Sequence, residues 1–180
     1  VPVRAVPLQS CRDKLEEVSA MKTLKDLFVH SLQDIYYAEQ RIMEALPAMI
    51  EKAESSELRN VLNAHLAETQ TQVQRLETVF AMVDEEPATE ECEAVNGLIE
   101  EAEELMGEVD DKAVLDAGIV AAGQAVEHYE IARYGTLIAW ADQLKLTDAK
   151  DLLAQSLEEE KRADRLLSEL ATQRVNRQAA

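Results

Sequence analysis

Four stretches of this chain carry apolar residues at the spacing of a helix face, and each places an acid on that face near its middle. In the first, Leu32, Ile35, Ile42 and Leu46 form a stripe that contains Glu39. In the second, Leu58, Leu62, His65, Gln72, Leu76 and Val79 enclose Glu68. The third, within QAVEHYEIARYG, sets Glu127 and Glu130 one turn apart between Val120 and Tyr134. In the fourth, Leu153, Leu157 and Leu167 flank Glu160 and Asp164. A single such acid could lie on a solvated face, as Glu158, Glu159 and Glu169 are expected to do. Four interruptions at mid-helix point instead to acids that meet in one interior.

The cost of that arrangement limits what can satisfy it. An unpaired buried carboxylate costs several kcal/mol, and a domain is stable by only about 5–15 kcal/mol. The stripes supply no Lys or Arg to offset the charge. Two divalent metal ions would, because cations bridged by carboxylates cancel their mutual repulsion. The expected ligand set is Glu39, Glu68, Gln72, Glu127, Glu130, Glu160 and Asp164. His65, one turn before Glu68, is expected behind the ligands or in core packing, with direct ligation as the alternative. His128 is expected to point sideways and His30 to lie far from the acids. A donor set dominated by oxygen suits Mn as well as Fe.

Composition narrows the rest. With 18 basic and 36 acidic residues the net charge is −18, which repels nucleic acid and anionic membranes and attracts cations. Aromatics make up only 4%, as suits helices better than sheets. No apolar run approaches the roughly 20 residues of a membrane span. Two cysteines, Cys11 and Cys92, without a CxxC pair, suit a reducing compartment, and a cytoplasmic location is expected.

The punctuation predicts an all-α chain. Residues 1–20, with two prolines, are read as an extension; 21–172 form the bundle; 173–180 are expected to be a mobile tail. The first long helix starts near Thr23, with Asp26 completing a capping box, and Pro47 is expected to kink or break it. ESSE, 54–57, turns the chain into a second helix that runs to about Val83. A short acidic helix occupies about 90–107, a third long helix about 112–142, and a fourth starts with Thr147 as its cap. The stretch of about thirty residues between the second and third long helices is too long for a turn and acts as a crossover. Gly118 and Gly123 are expected to let a neighbouring helix approach closely.

Several separated motifs carry a resemblance to a known family. HLAETQTQ at 65–72, CEAVNGLIEEAEE at 92–104, VEHYEIARYGTL at 126–137 and LEEEKRAD at 157–164 resemble the YciE/YciF family of ferritin-like bacterial stress proteins. EHYE, 127–130, is similar to the ExxE of rubrerythrins. The resemblance implies a ferritin-like four-helix bundle whose crossover carries a short extra helix, and a dinuclear site. The chain departs from the usual Glu-x-x-His pattern, since Thr71 and Ala163 stand where imidazoles often do. The expected function is a dinuclear Fe or Mn protein of stress response that handles peroxide or dioxygen or oxidises Fe(II), as a di-metal oxidoreductase. The alternatives are iron storage, which needs a large shell, and a non-catalytic bundle that acts by protein association. A homodimer is expected from common two-fold symmetry.

Overall fold

A computed structural model describes residues 21–180, so the expected extension over 1–20, including Cys11, lies outside the described residues. Those residues form helices and no strand: α1 (Leu24–Lys52), α2 (Ser56–Met82), α3 (Glu93–Glu108), α4 (Lys112–Gln143) and α5 (Thr147–Leu170), followed by a π turn (Ala171–Val175) and α6 (Asn176–Ala179). No helix among them is long and apolar enough to cross a membrane.

Local chemistry explains the boundaries. The Thr23 hydroxyl accepts from Asp26 N, and the Asp26 carboxylate accepts from Thr23 N, which closes the expected capping box. Ser55 caps α2 through Leu58 N, and Asp111 caps α4 through Ala113 N and Val114 N. Two expectations need correction. Pro47 neither breaks α1 nor ends it: the residue is exposed, and water can satisfy the one carbonyl left without a donor. Thr147 is the first residue of α5 and not its cap, which is Leu146 with no side-chain hydrogen bond. After α5 the chain keeps a helical path through residues 171–179, with Val175 buried and Arg174 paired with Glu57.

Four helices make the bundle. Neighbouring pairs are α1–α2, α2–α5, α5–α4 and α4–α1, so α1 faces α5, and α2 faces α4, across the diagonals. Helix α3 lies along α1 and α4. The crossover therefore covers one seam of the bundle while carrying the chain from one end to the other. Close approach at that seam depends on Gly118, where a Cβ would collide with the Leu105 side chain. Val95, Ile99, Ala102 and Met106 form the buried face of α3.

The two ends of the crossover are fixed differently. Near its start, Glu90 N donates to Gln33 O of α1. At its finish, the buried Asp116 of α4 accepts from Glu54 N and Ser55 N at 2.8 Å each, tying the α1–α2 turn to the first turns of α4. Both contacts are charge-assisted and end in a backbone that has no other partner there. Asp116→Ala is expected to cost about 2–4 kcal/mol in urea unfolding, with Asp116→Asn intermediate because it keeps one acceptor oxygen.

Candidate metal centre

The inward stripe of α1 runs Phe28, Leu32, Ile35, Glu39, Ile42, Leu46 and Met49, all buried. Glu39 thus replaces a hydrophobe at a position where the helix has no other face to offer it. Helix α4 does the same twice, with Glu127 and Glu130 buried one turn apart, and α5 does so with Glu160. Glu39, Glu130 and Glu160 are wholly inaccessible, and Glu127 is 2% exposed. His65 and Gln72 of α2 are buried in the same layer. The four sequence stripes therefore do converge, and they converge halfway along the bundle.

The geometry is tight. One donor atom from each of His65, Glu127, Glu130 and Glu160 lies within 4.8 Å of the others, a group that can hold a metal ion. His65 Nε2 is 3.5 Å from Glu127 Oε1, and its Nδ1 is 3.8 Å from Glu160 Oε2. His65 was expected behind the ligands or in core packing, with direct ligation as the alternative; one of its ring nitrogens lies among the donor atoms of that group. Burial lowers its pKa to about 4, so the imidazole is neutral at neutral pH and keeps a lone pair for a cation.

The carboxyls are held in the opposite sense. Burial raises Glu127 to about 8, and the charges of Glu39, Asp164 and Glu68 add to that. Burial pushes Glu39, Glu130 and Glu160 well above the ordinary carboxylate range, again reinforced by neighbouring acids. Among the described residues no Lys or Arg enters the layer: Arg75 and Arg162 remain at its rim.

Two expected ligands lie at the rim as well. The inward face of α2 alternates steps of four and three, Leu58, Leu62, His65, Thr69, Gln72 and Leu76, so Thr69 takes the position assigned to Glu68. The Glu68 carboxylate is 26% exposed and pairs with Arg162. On α5 the inward residue is Ala163, and Asp164 is 22% exposed, accepting from Gln124 Nε2 at 3.0 Å and lying 3.3 Å from the exposed His128. Glu159, expected on a solvated face, is half-buried in a bidentate pair with Arg75 at 2.5 and 2.7 Å.

Neighbouring groups aim several of the donors. The Tyr134 hydroxyl donates to Glu39 Oε1. Gln72 Nε2 donates to Glu160 Oε1 and, at 3.1 Å, to Glu159 Oε2, which is fixed in turn by Arg75. Thr69 satisfies itself on His65 O. Only the placement of Tyr134 opposite Glu39, across two helices, reveals this contact.

Unpartnered atoms test whether the residues fit a cation. Among the described residues, every buried side-chain nitrogen or oxygen without a hydrogen-bond partner belongs to this layer: Glu39 Oε2, His65 Nδ1, Gln72 Oε1, Glu127 Oε2, both Glu130 oxygens and Glu160 Oε2. Such atoms are costly and rare in folded proteins. All seven carry lone pairs. The donor set fits a divalent cation.

Comparison with known proteins agrees with the fold. A family profile described as a domain of unknown function (DUF892) matches residues 23–180. Protein YciF of Escherichia coli strain K12 is 42% identical over 163 residues, covering 88% of this chain and 96% of that protein. The crystal structure of the E. coli stress protein YciF superposes with a TM-score of 0.83 at 41% identity, over 87% of this chain and 99% of that one. YcfI from Rhodopseudomonas palustris superposes with a TM-score of 0.82 at 52% identity, over 84% of this chain and 96% of the other.

The raised carboxyls have a measurable consequence in the metal-free protein. A group whose pKa is higher folded than unfolded takes up a proton on folding, so its contribution to stability is lost as pH rises. For Glu127 the window runs from the unfolded value near 4.5 to about 8. Metal-free protein is expected to lose on the order of several kcal/mol between those limits, read as a falling melting temperature. Glu130→Gln, which removes a buried charge at constant shape, is expected to flatten that fall and to raise the melting temperature at the alkaline end.

Proposed function

Starting from a chain that belongs to the DUF892 family, with YciF among its relatives, we propose a dinuclear metalloprotein of stress response that holds two Fe or Mn ions. The observation that carries this reading is the convergence, among the described residues, of the unpartnered buried donor atoms on one layer that contains four carboxylates, one imidazole and no Lys or Arg. In this reading Glu127, Glu130, Glu160 and His65 would hold the ions, with Glu39 as a further carboxylate and the Gln72 amide oxygen as a neutral donor. Glu68 and Asp164, at the rim, act on the centre through charge alone.

When bound, a pair of such ions supplies electrons and open coordination positions for dioxygen or peroxide. The rest is the work of the chain. Tyr134 restrains Glu39, and the Arg75–Glu159–Gln72 series restrains Glu160, so the oxygens are aimed before a cation arrives. Burial keeps His65 neutral and ready to ligate at neutral pH. The surrounding leucines and isoleucines exclude water, which strengthens every interaction inside. Oxidation of Fe(II), or reduction of peroxide or dioxygen, is the reaction class these features serve.

A second reading, a bundle that acts only through protein association, draws on the provisional description of YcfI as a structural protein. The two readings differ in what metal does. Under the first, protein from iron- and manganese-replete cells carries up to two ions per chain, and saturating metal raises stability by about 3 kcal/mol at a hundredfold excess over the dissociation constant. Chelator reverses that gain in the parent and leaves Glu130→Gln unmoved. Under the second, metal content is negligible and chelator has no effect. Light scattering checks the proposed homodimer against a storage shell.

A further inference from the structure

Beside the acid layer lies a cavity of about 40 Å³, bounded by α1, α2, α3 and α4 and touched by Leu167 of α5. Leu46, Met49, Val61, Leu62, Ile99 and Met106 make most of its wall. The polar side chains in its wall are those of Glu103, His65 and Glu127. Glu103 of α3 and Ala48 of α1, both exposed, belong to that wall. His65 and Glu127, two of the four residues that can grip a cation, are also part of the wall. The cavity therefore connects the surface of the α1–α3 seam with the candidate centre.

We propose that this cavity is the entry route and waiting site for dioxygen, a small apolar oxidant that reaches the centre here. The inference rests on the metal-centre reading above and deepens it by naming the oxidant. A water molecule in a cavity needs two to four polar partners, and apart from Glu103, His65 and Glu127 the side chains of this wall are apolar. Hydrogen peroxide, a double donor and acceptor, is disfavoured for the same reason. The volume suits a diatomic and excludes an acyl chain or an aromatic substrate. Met49 and Met106 line the path with flexible thioethers, which yield to a slender guest without a fixed opening. The crossover helix is then a wall of the route, which gives its buried face a use beyond packing.

Xenon is the probe, since it occupies dry apolar cavities and does not depend on metal. In crystals of the parent under xenon pressure, an anomalous peak is expected between Leu46, Met49 and Met106. Ala102→Leu fills the cavity from α3, and Ala45→Leu fills it from α1 should the first variant fold poorly. Either variant is expected to lose the xenon peak. Either should also slow oxidation of Fe(II) by dioxygen several-fold, with oxidation by hydrogen peroxide unchanged. In that assay two Fe(II) give two electrons to dioxygen, which takes two protons and leaves as hydrogen peroxide. A parent that binds iron but no xenon overturns the route alone, as do variants that lose xenon yet keep the dioxygen rate. A parent that binds xenon but no iron overturns the metal reading and the route with it.

Discussion

Everything in this protein is arranged around like charges forced together where water cannot reach them. Glu39, Glu127, Glu130 and Glu160 come from three helices and meet in a layer closed above and below by leucines, isoleucines and Phe28. Desolvation and mutual repulsion both act against ionising them, and both push their pKa values up. Without a cation the layer must hold protons; with one it can release them. Affinity for a metal would thereby be linked to pH, because each cation bound would displace protons from the same oxygens. The net charge of −18 extends that logic outward, since it concentrates cations around the whole molecule.

The scaffold suits the burden. A helix satisfies its own backbone, so four helices can surround a polar layer without adding backbone groups to it. The rim then separates the layer from solvent chemically as well as sterically. Arg75 takes Glu159, and Arg162 takes Glu68, so nearby basic groups are already committed to outer acids. Had either arginine reached inward, it could have neutralised the layer and competed with a metal. The hydrogen bonds from Tyr134 and Gln72 hold two of the carboxylates but leave Glu39 Oε2 and Glu160 Oε2 unpartnered.

Much of this is legible in the residues alone, and the errors share one cause. Glu39, Glu127, Glu130 and Glu160 are visible because each interrupts a run of strong hydrophobes, which fixes the phase of its helix closely. On α2 the stripe thins to His65, Thr69 and Gln72, all polar, so the phase there is uncertain by one residue and Glu68 reads as inward in place of Thr69. Ala163 is too small to mark a core position, so Asp164 beside it takes the reading. The role of His65 depends on partners from α4 and α5, which no spacing within α2 can reveal. The membership in the family shared with YciF, by contrast, rests on motifs spread over most of the chain and survives these local slips.

Anomalous diffraction at the Fe and Mn absorption edges, from crystals of metal-loaded protein, tests the central claim most directly. Two peaks within bonding distance of Glu127, Glu130, Glu160 and His65 are expected, with both Glu130 oxygens engaged. A layer with no peak at either edge, in which the carboxyls satisfy one another through shared protons, would contradict the account.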